Sequence, residues 1–163
     1  MSESSSHCHQ IGGLRNAKIL KNSPWGKNSP RLKGARAKGK TYERTIFRLL
    51  KRALAPDVEL YYNLWIGYTD SQGTSYCQPD IFLVLPGWIL LLECKLTQTE
   101  EAERQLQGLY KPVLEWIFHK PVVTVQVCKN LRYKPKNEIQ SLREANQVGI
   151  LYTYHCPGEF LNV

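Results

Sequence analysis

Asp80, Glu93 and Lys95 are of the residue types, and stand at the spacing, that handle a metal ion or a phosphate. Glu93 and Lys95 follow an apolar run, Trp88 to Leu92, that reads as a strand buried on both faces. Being two apart in a strand, they point to the same side. Asp80 precedes a second apolar run, Ile81 to Leu85, and only Pro86-Gly87 separates the two runs. A two-residue turn there pairs Leu85 with Trp88 and, counted outward, Asp80 with Glu93; facing side chains have Cβ atoms about 4.5–5.5 Å apart. Two facing carboxylates repel, and taking them out of water raises the cost. Such a pair persists when one carboxyl is protonated or a cation lies between them. All-oxygen ligation with open positions suits Mg²⁺, which keeps several waters and meets its substrate through phosphate oxygens. An ammonium at Lys95 can orient an attacking water or offset developing negative charge. Singly, each residue reads as a strand end or a turn; the facing register makes them a set.

The elements that must position this set are legible on either side of it. From Thr41 to Leu54, Ile46, Phe47, Leu50 and Leu54 recur at helical spacing, with Pro56 as the stop. Glu43 lies in line with that apolar stripe, whereas Arg44, Arg48, Lys51 and Arg52 fall on the other side. Three strands are expected next: Val58 to Tyr68, then Cys77 to Leu85 and Trp88 to Leu96 as a hairpin. Thr97 with Glu100 is a capping-box signal for a helix that buries Ala102, Leu106, Leu109, Val113, Trp116 and Ile117, with a kink at Pro112. Pro121 to Cys128 reads as a strand, Asn137 to Gln147 as a short helix, and Gly149 to His155 as a last strand. The fold class is α/β, a mixed central sheet flanked by helices. Tyr61, Tyr62, Trp65 and Tyr68 read first as core and cross-strand packing, and otherwise as a base-stacking or dimer surface.

The chain has 163 residues and a formal net charge of +8. That charge is all at one end. Residues 1–40 hold nine basic groups against one acid, Glu3, and residues 41–163 hold thirteen of each sign. The reading is a basic N-terminal arm over 1–40, rich in Gly, Ser, Asn and Pro, ahead of a neutral domain over 41–163. Such an arm suits a polyanion, because each neutralised phosphate releases condensed counterion. Leu14, Ile19, Leu20 and Trp25 are surplus to a simple tail and are expected to dock on the domain or a second subunit. No run of eighteen apolar residues indicates a membrane span, and Met1 to Gln10 has no apolar leader core. Five scattered cysteines without a CxxC point to reduced thiols and so to an intracellular setting. His7-Cys8-His9 is read as carrying no metal site.

Pro79-Asp80, then Glu93-x-Lys95 after a strand, with Glu43 on the preceding helix, resembles the PD-(D/E)XK nuclease superfamily. The likeness runs from about Thr41 to Cys128, and the element order is similar to that superfamily's restriction-endonuclease-like αβββαβ core. Gly39-Lys40-Thr41-Tyr42-Glu43-Arg44 also resembles the opening of small Holliday-junction resolvases. The resemblance implies that Asp80, Glu93 and the Cys94 backbone carbonyl bind Mg²⁺, with Mn²⁺ able to substitute. It implies that Lys95 positions the attacking water, and that Glu43 completes a second metal site or acts through a water. The Gln-x-x-x-Tyr of some members is absent, the spacings being Gln105-x4-Tyr110 and Gln107-x2-Tyr110. Gln105, at the edge of the helix's apolar face, is the accessory candidate, and Gln107 is turned further away.

The expected activity is metal-assisted hydrolysis of DNA phosphodiesters, by an endonuclease acting on branched DNA. Lys33, Arg36, Lys38, Lys40, Arg44, Arg48, Lys51 and Arg52 would grip the backbone. No base-reading helix-turn-helix or zinc finger accompanies them. A homodimer would supply the two sites that cutting two strands requires. The alternative is a DNA-binding or assembly protein on a nuclease-like fold without turnover.

Overall fold

The computed structural model describes residues 11–26 and 32–130, and the backbone of a final strand at 150–154. In chain order the elements are β1 (Asn16–Ile19), α1 (Gly34–Ala53), β2 (Glu59–Tyr62), β3 (Ile66–Asp70), β4 (Gly73–Cys77), β5 (Ile81–Val84) and β6 (Ile89–Thr97). Then come α2 (Glu100–Gln105), a π-helical turn (Leu106–Tyr110), α3 (Lys111–Phe118), β7 (Val122–Asn130) and β8 (Ile150–Tyr154). The main sheet is mixed, in the order β2-β5-β6-β7-β8. β2, β5 and β6 are antiparallel, and β7 and β8 run parallel to β6. The expected α/β class and mixed, helix-flanked sheet are present. The expected helix over 137–147 lies outside the described residues.

Alternation along the strands builds two cores. Ile81, Leu83, Leu92, Cys94, Val125 and Val127 meet Tyr42, Ile46 and Leu50 of α1 on one face. Phe82, Ile89, Leu91 and Val122 meet Leu106, Tyr110, Val113 and Leu114 on the other. β6 is therefore buried on both sides, as its apolar run requires. Each such fully buried side chain contributes about 1.5–3 kcal/mol.

Four expectations are corrected. The long strand over 58–68 is two strands in two sheets, because Asn63 takes a left-handed φ of 51° and turns the chain. β3 and β4 then form a hairpin that joins β1 in a separate three-stranded sheet. Secondly, α1 begins at Gly34 rather than Thr41, so the last residues of the expected arm are helical. β1 builds another part of it into the domain, with Ile11, Leu14 and Ala17 packed on the core.

Thirdly, the helix after β6 is capped by Thr99, whose hydroxyl accepts from the Ala102 N–H at 3.2 Å, because β6 extends through Thr97. Gln126 on β7 clamps that start, accepting from the Thr99 N–H at 2.9 Å and donating to its carbonyl at 3.0 Å. Fourthly, the helix is interrupted by a π turn, Leu106–Tyr110, just before Pro112. Its missing N–H would leave the Gly108 carbonyl without its helical donor, and the Ile11 N–H reaches that oxygen at 3.2 Å. The π turn also shifts the helix phase. Trp116, expected in the core, is 43% exposed. Gln107, expected to point away, donates to Thr124 Oγ1 at 2.9 Å.

Candidate active site

The hairpin register is the one expected from Pro86-Gly87: Val84 pairs with Ile89, Phe82 with Leu91 and Ile81 with Leu92. β5 stops at Ile81, and Asp80 and Glu93 are the next residues beyond that last pair. There the backbone ladder is replaced by a side chain, and the Cys94 N–H donates to Asp80 Oδ2 at 2.8 Å. In the alternation of an antiparallel pair the Cys94 N–H and C=O share that edge. Glu93 lies on the face that carries α2 and α3, only 2% exposed, next to Gln126 in the parallel register. Lys95, two residues on, places its ammonium 2.8 Å from Glu93 Oε1. The other oxygen, Glu93 Oε2, is buried without a hydrogen-bond partner.

Burial pushes the Asp80 carboxyl up to about 8, with the charges of Glu93 and Glu43 adding to the rise; the Cys94 N–H and Lys95 pull it back only in part. Glu93 is also raised, by burial first, although Lys95 opposes it. Burial lowers the Lys95 ammonium, but Glu93, Asp80 and Glu43 outweigh it and hold its pKa above the ordinary value. Buried Glu93, half-buried Asp80 and Glu43 outnumber the two ammoniums among them, Lys95 and Lys40, and leave a local shortage of positive charge. That is the electrostatic condition for taking up a cation.

Glu43 reaches this end of the sheet from α1, where its carboxylate is charge-coupled to Asp80 and Glu93. It is held by Lys40, whose Nζ lies 2.6 Å from Glu43 Oε2 and donates to Asn63 Oδ1 at 2.7 Å. Asn63 in turn donates its N–H to the Asp80 carbonyl at 2.9 Å, and its own carbonyl accepts from Gln78 Nε2 at 2.6 Å. One left-handed asparagine thus ties α1 to the segment that aims Asp80. Lys40, expected among backbone-gripping cations, points into the site, because α1 starts early enough to bring it one turn from Glu43. Its spacing to Glu43 was the available signal; nothing local connected Asn63 to Asp80.

Lys33, Arg36, Lys38, Arg44, Arg48, Lys51 and Arg52 all lie exposed on or beside α1. Gln105 ends α2 half-buried. Cys77, Cys94 and Cys128 are buried free thiols, raised by burial (Cys77 to about 12, Cys128 to about 11) and therefore unreactive.

Among the described residues no group of three or more His, Cys, Asp or Glu side chains is arranged to hold an ion. Mg²⁺ does not need one, since one or two carboxylates with waters and substrate phosphates suffice. Asp80 and Glu93 fit that requirement: both are acidic oxygens, both are raised by burial, and Glu93 Oε2 lacks a donor.

No family model matches the chain, and no curated protein matches its sequence. Among solved structures, it resembles protein VC1899 from Vibrio cholerae at 12% identity and a TM-score of 0.43, over 74% of this chain and 30% of that one. It resembles a repair endonuclease from Pyrococcus abyssi at 14% identity and a TM-score of 0.43, over 81% of this chain and 50% of that one. An EndoMS–double-stranded DNA complex is similar at 15% identity and a TM-score of 0.43, over 79% and 49%. The chain thus spans half or less of the length of these proteins. Among the described residues no helix is long and apolar enough to cross a membrane.

Proposed function

We propose that the chain is a divalent-metal-dependent DNA endonuclease of the PD-(D/E)XK type. The observation that carries this reading is the convergence of Asp80 and Glu93 at the end of β5, where Asp80 holds the Cys94 N–H, both acids are raised by burial, Lys95 sits on one of them and Glu93 Oε2 is left without a donor. Such an arrangement is costly for folding alone, and a cation resolves it. Asp80, Glu93 and the Cys94 carbonyl would hold Mg²⁺ or Mn²⁺, which supplies Lewis-acid stabilisation of a phosphoryl oxygen.

The side chains supply the rest. The Lys95 ammonium is anchored on Glu93 and so is fixed beside the place a phosphate would occupy. There it orients a water and offsets the charge that builds on the phosphate in the transition state. Glu43 adds an acceptor, held by Lys40, which is itself fixed on Asn63 Oδ1. The exposed cations of α1 face solvent without acidic partners on their own helix apart from Glu43, and they suit the DNA backbone.

The test is cleavage of supercoiled plasmid and of a synthetic four-way junction, with Mg²⁺ or with EDTA, by wild type and Glu93→Gln. Metal-dependent cutting that disappears in the variant supports the reading, and the preferred substrate decides whether branched DNA is the target. No cutting by the wild type, alongside tight and salt-sensitive DNA binding, would assign the chain to a binding role.

A further inference from the structure

The outer face of the small sheet carries a second constellation that the carboxylate site does not use. Ala17, Tyr68 and Cys77 turn inward to the core, so the alternate residues of β1, β3 and β4 face out. Across the three strands they form two rows, Asn16–Thr69–Thr74 and Lys18–Gly67–Tyr76. Gly67 has no side chain, and a Cβ there would stand 3.5 Å from the Tyr76 ring. The bare strand is the floor of an open groove of about 400 Å³, closed along its rim by Leu20 and Pro24.

Trp25 stands over one wall, its ring edge-on to Tyr76 with centroids 5.7 Å apart at 76°. It is 73% exposed, and Tyr76 is 41% exposed. The tryptophan is not on a loose tail. Ser23-Pro24-Trp25-Gly26 is a turn closed by Gly26 N–H to Ser23 carbonyl at 3.4 Å, with the Trp25 N–H on Ser23 Oγ at 3.2 Å. Ser, Pro and Gly occupy the positions each favours in such a turn. Among the described residues around the groove, Arg15, Lys18 and Lys21 are exposed cations, and the only acid in the three strands, Asp70, is buried with an oxygen on the Gln72 N–H.

We propose that this groove binds an unpaired nucleic-acid strand, a base stacking on the Trp25–Tyr76 pair while Lys18 meets its phosphate. An exposed aromatic pair beside cations is the combination that holds single strands without reading sequence. A duplex hides its base faces, so it does not satisfy the ring pair. Only three residues, Cys77 to Pro79, separate Tyr76 from Asp80 in the chain. The hairpin that carries the groove is closed at its base by the Asn63–Asp80 backbone bond of 2.9 Å. An unpaired segment held here is thereby tied to the element that aims the carboxylates. The inference shares the nucleic-acid ligand with the proposed function but does not depend on hydrolysis.

The experiment uses the full chain in EDTA, so that nothing is cut. Fluorescently labelled oligo(dT) and a duplex of the same length are titrated into wild type, Trp25→Ala, Trp25→Phe and Lys18→Gln. Trp25→Ala is expected to weaken the single strand about tenfold or more, with the duplex unchanged and the phenylalanine variant mostly restored. Lys18→Gln is expected to make the single-strand salt slope shallower by about 0.7, one phosphate contact. Equal single-strand affinity in wild type and Trp25→Ala overturns the proposal. So does a change of oligomeric state in that variant with oligonucleotide binding intact, which would assign the face to self-association. Cleavage by a chain whose single-strand binding ignores Trp25 would sink the groove and keep the nuclease; Trp25-dependent binding by a chain that never cuts would do the reverse.

Discussion

The Cys94 amide and the Asp80 carboxylate meet at 2.8 Å where the β5–β6 ladder would otherwise lose a backbone partner. One interaction therefore ends the strand pairing and begins the candidate site. An amide stabilises the acid's charged form, yet burial and the neighbouring acids prevail, and the Asp80 carboxyl stays raised.

Replacing that carboxylate separates its structural from its chemical role. Asp80→Asn keeps an acceptor for the Cys94 N–H, and in metal-free buffer at pH 8 it should be at least as stable as wild type. Asp80→Ala leaves a buried N–H without a partner and should cost about 1–3 kcal/mol in urea unfolding. Both variants should lose any rise in melting temperature that Mg²⁺ confers on the wild type.

The pH dependence has a definite sign. Asp80 is raised from an ordinary 3.8 to about 8 in the folded chain, so the native state holds its proton more tightly than the unfolded one. The associated stability is fully present below the ordinary value and is lost as pH rises toward about 8. Glu93 shifts in the same direction. Thermal melts in EDTA should fall from pH 5 to pH 8, and Asp80→Asn should flatten the trend. Stability that climbs over that interval would contradict the buried-acid account.

Lys40, Glu43 and Asn63 should behave as one unit. A double-mutant cycle of Lys40→Ala with Glu43→Ala is expected to give a coupling of about 0.5–1 kcal/mol, because the pair is partly exposed. Asn63→Gly retains the left-handed backbone and removes only the side-chain acceptor. Asn63→Val strains that backbone, and it should cost about 1–3 kcal/mol. If cleavage is found, Asn63→Gly should lower it by loosening Lys40 and Glu43, with the melting temperature changed less than in Asn63→Val.

Charge reversal on α1 tests the proposed contact with duplex DNA. Arg44→Glu with Arg48→Glu should weaken duplex binding and lower the slope of log affinity against log salt by about 0.9 for each phosphate contact removed. Both side chains are exposed, so the fold should be unaffected. A slope equal to that of the wild type would remove these two residues from the interface.

In the core, Leu91→Ala should cost about 2–5 kcal/mol in chemical unfolding, since this side chain is fully buried between the sheet and α3.

Alternation and turn length are local properties, and they carried the most important relation here. The Pro86-Gly87 spacing set the β5–β6 register as far as Ile81 and Leu92, the pair next to Asp80 and Glu93. The apolar stripe of α1 and the two-sided burial of β6 were legible for the same reason: periodicity reports which face is covered. Other features depend on contacts between distant segments. Asn63 breaks one apparent strand into two sheets, because its backbone turns where its N–H finds the Asp80 carbonyl. A π turn before Pro112 shifts the phase of a helix, and the Ile11 N–H, about a hundred residues earlier, meets the carbonyl the proline leaves without a donor. Lys40 looked like one more basic residue of an arm until the helix start at Gly34 brought it against Glu43 and Asn63. Strand pairing and helix periodicity act over a few residues. The reach of a lysine, the partner of an orphaned carbonyl and the outer face of a small sheet are set only when the chain has closed on itself.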